Sequence, residues 1–122
     1  MTNYSDKAKA RHVPGKMNKL EEAYSGHLEL QKLAGEIYAW KFEPVALILA
    51  DRTRYTPDFL VIEKDMTVRF DEVKGFWRDD ARVKIKVAAE MFPWFKFKAV
   101  TKAKKRDGGE WEYEFFNKSE LV

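Results

Sequence analysis

Asp58, Glu72 and Lys74 are charges in a stretch that otherwise reads as a β-hairpin, YTPDFLVIEKDMTVRFDEVKG from Tyr55 to Gly75. Strand residues one position apart point the same way, so Glu72 and Lys74 project from one face and Val73 from the other. A short polar turn at Lys64 to Met66 predicts that Asp58 lies on the neighbouring strand, where the three charges converge. Two carboxylates ligate a hard divalent cation, and a lysine beside them hydrogen-bonds a phosphate oxygen or an attacking water. Such a cation polarises a scissile P–O bond and offsets charge building in the transition state, which is the chemistry of phosphodiester hydrolysis. The bland alternative is a Glu-Lys pair on a solvent face, with Pro57-Asp58 merely opening a strand. Against it, the triplet follows a Pro-Asp across one hairpin, sits between apolar residues and ends in Gly75.

Composition limits what else the chain can hold. With 122 residues, 45% hydrophobic and 35% charged, it predicts one packed and soluble domain. No cysteine is present, and His12 and His27 are two histidines far apart, so thiolate and histidine-based metal sites are excluded. A metal must then take oxygen ligands, which favours magnesium, with manganese able to substitute. No run is long and apolar enough for a membrane span and no secretory signal opens the chain, so the expected address is the cytoplasm.

The elements that must position the charges follow from periodicity. Residues 1–17 are polar and basic, with Lys7, Lys9, Arg11 and Lys16, and are broken by Pro14 and Gly15; they read as a flexible arm before a single domain at 18–122. From Lys19 to Ala34 the spacing is helical, with Leu20, Ala23, Tyr24, His27, Gln31 and Ala34 on one face and Gly35 as the stop. Trp40 to Ala50 is a strand carrying Pro44, Asp51 to Arg54 is a turn, and Tyr55 to Glu63 and Thr67 to Lys74 are the hairpin strands. A second helix runs from Ala81 to Phe92, capped by Asp79 or Asp80 and stopped by Pro93, with Ala81, Val83, Ile85, Val87, Ala88, Met91 and Phe92 as its apolar arc. Strands at Phe95 to Val100 and Trp111 to Phe116 complete an α-β-β-β-α-β-β order, an α/β domain with one mixed sheet flanked by helices.

Pro57-Asp58 followed by Glu72-Val73-Lys74 resembles the PD-(D/E)xK nuclease motif, and the predicted element order matches that superfamily's restriction-endonuclease-like core. More narrowly, NKLEEAY (Asn18 to Tyr24), AGEI (Ala34 to Ile37), YTPDF (Tyr55 to Phe59) and EVKG (Glu72 to Gly75) are similar to a phage-encoded group of small nucleases related to phage endonuclease I and archaeal Holliday-junction resolvases. The resemblance spans Asn18 to Phe116. It implies a magnesium-dependent endonuclease of the host bacterial cytoplasm, with Asp58 and Glu72 as metal ligands, Lys74 at the attacking water and a further acid on the first helix. Of Glu21 and Glu22, only Glu21 falls at the edge of the apolar face, about 100° from Leu20 against about 200° for Glu22. Asn18 and Glu21 are also spaced as a capping box, in which Glu21 satisfies a backbone N–H.

Branched DNA such as a four-way junction is the expected substrate, because no extra domain is present to read sequence. Paired nicks on such a junction imply a homodimer. Lys84 lies inside the apolar arc of the second helix, either snorkelling to its rim or turned towards a phosphate; Arg82 and Lys86 lie outside it as expected DNA-backbone contacts. From Lys96 to Arg106 there are six cations and no acid, of which Lys102, Lys104, Lys105 and Arg106 are the expected phosphate contacts. Phe76 and Trp77 are candidates for stacking on bases or for packing. Tyr55 reads as a packing residue and His27 as a structural one. Competing functions are a general or nicking DNA nuclease with the same site, a catalytically silent DNA-binding module, and a protein-interaction domain with solvated basic runs.

Overall fold

Hydrogen bonding divides the described residues into two helices and seven strands: α1 (Lys19–Leu33), β1 (Ile37–Phe42), β2 (Leu47–Ala50), β3 (Thr53–Tyr55), β4 (Phe59–Glu63), β5 (Val68–Val73), α2 (Asp79–Met91), β6 (Lys96–Lys102) and β7 (Trp111–Phe115). The structure is a computed structural model and describes residues 15–104 and 108–117. Five strands form one mixed sheet in the order β1-β4-β5-β6-β7, and β2 and β3 form a separate antiparallel pair. Among the described strands only β5 and β6 run parallel, and α2 makes the crossover between them.

The expected single strand from Trp40 to Ala50 is in fact two, and the turn predicted at Asp51 to Arg54 narrows to Asp51 and Arg52, with a third short strand from Thr53. Glu43 adopts φ 47° and Pro44 follows it, so the ladder breaks there; Arg52 at φ 60° then turns β2 back onto β3. Neither turn uses glycine. The β4–β5 hairpin forms as its polar turn predicts, with the Asp65 side chain accepting from the Thr67 N–H at 3.0 Å.

Alternation along β5 sends Phe70 and Glu72 to one face of the sheet and Arg69, Asp71 and Val73 to the other. Phe70 packs with Ile85, Ala88, Ala89 and Phe97 beneath α2, whereas Val73 packs with Tyr24, Leu28, Phe59 and Val61 beneath α1. On α1 the buried stripe is Glu21, Tyr24 and Leu28, rotated from the expected face, and Ala23 and Ala34 are exposed. The large Tyr24 and Leu28 remove far more apolar surface from water than two alanines. Met17, within the expected arm, packs against this cluster. On α2 the small Ala88 and Ala89 face the sheet with Ile85, while Val83, Val87 and Met91 are exposed. That helix starts earlier than predicted: Arg78 is its N-cap with no side-chain bond, and Asp79 and Asp80 sit in the first turn.

Beneath α1 lies a buried polar network. The Asp71 carboxylate, fully buried, accepts from the Tyr24 hydroxyl (2.7 Å) and from Arg69 Nε (2.7 Å) and Nη2 (3.0 Å), with Lys98 Nζ at 3.8 Å. Arg69 also donates to Glu63 at 3.1 Å. Burial lowers the Lys98 pKa to about 8, with Asp71 opposing that shift. Removing one member of such a network leaves the others charged and desolvated. Asp71→Ala is therefore expected to destabilise the fold by ~3–5 kcal/mol in urea unfolding; a change under about 1 kcal/mol would show that Arg69 and Lys98 relax to other partners.

Candidate active site at the ends of β4 and β5

Phe59 pairs with Asp71 and Leu60 with Phe70, and one further step of that register sets Asp58 opposite Glu72. The two acids interlock there. Asp58 Oδ2 accepts the Val73 N–H at 2.8 Å, and Glu72 Oε1 accepts the Asp58 N–H at 3.1 Å. Tyr55, at the end of β3, donates its hydroxyl to the same Glu72 oxygen at 2.9 Å. Lys74 Nζ lies 3.6 Å from Glu72 Oε2, and its own N–H is tied to the Val100 carbonyl of β6 at 3.0 Å.

Glu21, Asp58 and Glu72 are all buried. Burial pushes the Asp58 carboxyl up from 3.8 to about 9, the Glu72 and Glu21 charges add to the shift, and the Val73 N–H and Lys74 oppose it. Glu72 is raised too, by burial, against the pull of Lys74, Tyr55 and the Asp58 N–H. Burial and the Glu72 charge raise the Tyr55 hydroxyl, which keeps it a donor. The pair is thus a desolvated acidic centre with one half-exposed ammonium as its nearest cation, an arrangement that a divalent cation would complement.

The capping reading of Glu21 holds. The capping box forms, with Glu21 Oε1 accepting the Asn18 N–H at 2.8 Å and Asn18 Oδ1 accepting the Glu21 N–H at 2.8 Å. The same side chain still faces the sheet closely enough for its charge to act on Asp58. Among the described residues no three His, Cys, Asp or Glu side chains are gathered into a ready cation cage. Asp58 and Glu72 are the residues that could hold a magnesium ion, which commonly takes one or two carboxylates and fills its octahedron with water and substrate phosphate.

A cleft of about 340 Å³ opens beside Glu72, lined by Arg54, Tyr55, Thr56, Lys74, Asp80 and Lys84 among others. Lys84 leaves the apolar arc and donates to the Arg54 carbonyl at 3.1 Å, so it sits on the cleft wall. The other expected DNA contacts are spread over the surface. Arg82 makes a bidentate pair with Glu114, both bonds 2.7 Å, and lies 5.2 Å over the Phe116 ring. Lys86, Lys102 and Lys104 are exposed, Lys102 at 4.9 Å from the Trp111 ring; Lys105 and Arg106 lie outside the described residues. Two cations of the basic run serve the fold instead, Lys96 pairing with Glu63 at 2.9 Å and Lys98 facing Asp71. Sequence reading missed the Tyr55 hydroxyl bond and the cleft positions Arg54 and Thr56, because β3, which presents them, was not read as a separate strand, and it gave Asp80 only a capping role. His27 meets the Tyr113 hydroxyl at 3.2 Å beneath α1, away from this site. Compared with family models, curated proteins and solved structures, the chain matches none.

Stability should carry the signature of the buried pair. Between about pH 4 and pH 9 the folded protein keeps an Asp58 proton that the unfolded chain has released, so stability falls as pH rises through that window. Asp58→Asn preserves an acceptor for Val73 and removes the charge. Thermal melts in EDTA should place this variant about 4 °C or more above wild type at pH 9, with the gap closing towards pH 4; a constant gap would exclude the titration as its source.

Proposed function

We propose that the protein is a magnesium-dependent DNA endonuclease of the PD-(D/E)xK class, acting on branched DNA in phage DNA processing and working as a homodimer. The observation that carries this reading is the interlocked Asp58–Glu72 pair with Lys74 beside it, at the mouth of a cleft whose wall adds Arg54 and Lys84. With the β2–β3 hairpin set aside as an insertion, the order is one helix, the antiparallel strands β1, β4 and β5, a crossover helix and the parallel strand β6. That order supports a restriction-endonuclease-like core, and manganese is expected to replace magnesium.

Arg54, Lys74 and Lys84 would bind the non-bridging oxygens of the phosphodiester and set it over the acidic pair. Tyr55 and the Asp58 N–H orient Glu72, leaving Oε2 towards Lys74, so the ligand geometry is fixed before substrate arrives. Magnesium held by Asp58 and Glu72 would supply Lewis-acid polarisation and a more acidic bound water. Lys74 would hold the attacking water in line with the leaving oxygen: the water oxygen bonds to phosphorus as one of its protons passes to solvent, the P–O bond to one nucleoside breaks, and the released oxygen takes up a proton from solvent.

The test is cleavage of a labelled immobile four-way junction beside a linear duplex of the same sequence. Wild type with magnesium should give paired cuts in the junction, and EDTA, Asp58→Ala or Glu72→Ala should each lower the rate by at least about a thousandfold. Affinity for the junction should fall much less, since the cations remain. Turnover by both variants at the wild-type rate would reject the assignment. Equal cutting of junction and duplex would instead leave a nuclease without junction preference, and binding without cutting a silent DNA-binding module.

A further inference from the structure

Directly after Lys74 the chain makes a short loop, Gly75 to Arg78, before α2 begins. Its two aromatic residues part company. Trp77 packs into the cluster beneath α2, whereas Phe76 projects into solvent with 70% of its surface exposed. A Cβ at Gly75 would meet no atom within 4 Å, so the base of the loop stands clear of the fold. The Arg78 guanidinium lies 5.8 Å from the centre of the Phe76 ring.

We infer that Phe76 is a stacking residue for an unpaired nucleobase next to the scissile phosphate, and that it supplies the preference for branched over linear DNA. This rests on the nuclease reading above and names how that site selects its substrate. Hydrophobic burial does not account for an exposed ring, while every nucleobase offers an apolar face to stack on. Two residues of extended chain span at most about 7 Å, so the backbone carries Phe76 close to Lys74, which would hold the phosphate. Cations flank that path. Arg78 stands at the ring and Arg54, Lys74 and Lys84 line the cleft, against the acids Glu72 and Asp80. Trp77 anchors the loop, so the ring is presented on a fixed base with little ordering left to complete on binding. A continuous duplex keeps its bases stacked and offers the ring nothing; a branch point exposes one.

The experiment compares wild type, Phe76→Ala and Phe76→Trp on a four-way junction and a matched duplex, both as cleavage rates with magnesium and as 2-aminopurine fluorescence at the branch point in EDTA. Phe76→Ala should lower the junction-to-duplex rate ratio at least about fivefold while duplex cutting is unchanged. It should also abolish the fluorescence change that wild type produces, and Phe76→Trp should restore both. Unchanged ratio and fluorescence in Phe76→Ala overturn the proposal. So does a Phe76→Ala defect in sedimentation alone, which would make the ring a contact between protein subunits. If wild type cuts neither DNA but the fluorescence change still depends on Phe76, base stacking stands and the nuclease reading fails; absence of junction binding overturns both.

Discussion

Antiparallel pairing of β4 with β5 forces two acids to face each other at the end of the hairpin, and the rest of the site follows from how that conflict is settled. Each carboxylate is held by a backbone N–H of the opposing strand: Asp58 by Val73, and Glu72 by Asp58 itself. These bonds favour charge, burial and mutual repulsion disfavour it, and burial prevails. A fold that needed only stability would place apolar residues there. The strand ends are instead acidic, buried and bordered by a cleft, which costs stability.

The sheet separates two polar systems that sequence writes side by side. Asp71 and Glu72 are neighbours in the chain, yet alternation turns Asp71 into a fully paired network under α1 and Glu72 towards the cleft beside α2. Both oxygens of Asp71 are bonded, by Arg69 and Tyr24, whereas Tyr55 and the Asp58 N–H both bond Oε1 of Glu72 and leave Oε2 with Lys74 at 3.6 Å. The contrast separates a structural acid from one left with coordinating capacity. It also explains why the basic run from Lys96 is not uniformly a surface: Lys98 points at Asp71 because β6 pairs in parallel with β5.

Much of this was legible in the residues. The β4–β5 hairpin, its turn and the placing of Asp58 near Glu72 and Lys74 follow from period-two alternation and register. The capping box at Asn18 and the stop at Gly35 follow from local chemistry. Less legible was anything decided by tertiary packing. Glu43 takes positive φ without being glycine, so the break after β1 left no signal, and the turn read at Asp51 to Arg54 ran two residues into β3; with these went Arg54, Thr56 and the polar role of Tyr55. The apolar arc of α2 was broader than the surface it covers, since Ala88 and Ala89 seat the helix and leave Val83, Val87 and Met91 outside.

On this account Asp58 and Glu72, with Lys74 as their one near charge partner, take a divalent cation. Titration with Mn²⁺, followed by the loss of its free-ion electron paramagnetic resonance signal, tests this without any assumption about substrate. Saturable uptake by wild type, displaced by Mg²⁺ and lost in Asp58→Asn and Glu72→Gln while Asp71→Asn retains it, is the predicted result. Equal uptake by all four proteins, or none by wild type with a phosphodiester present, would contradict it.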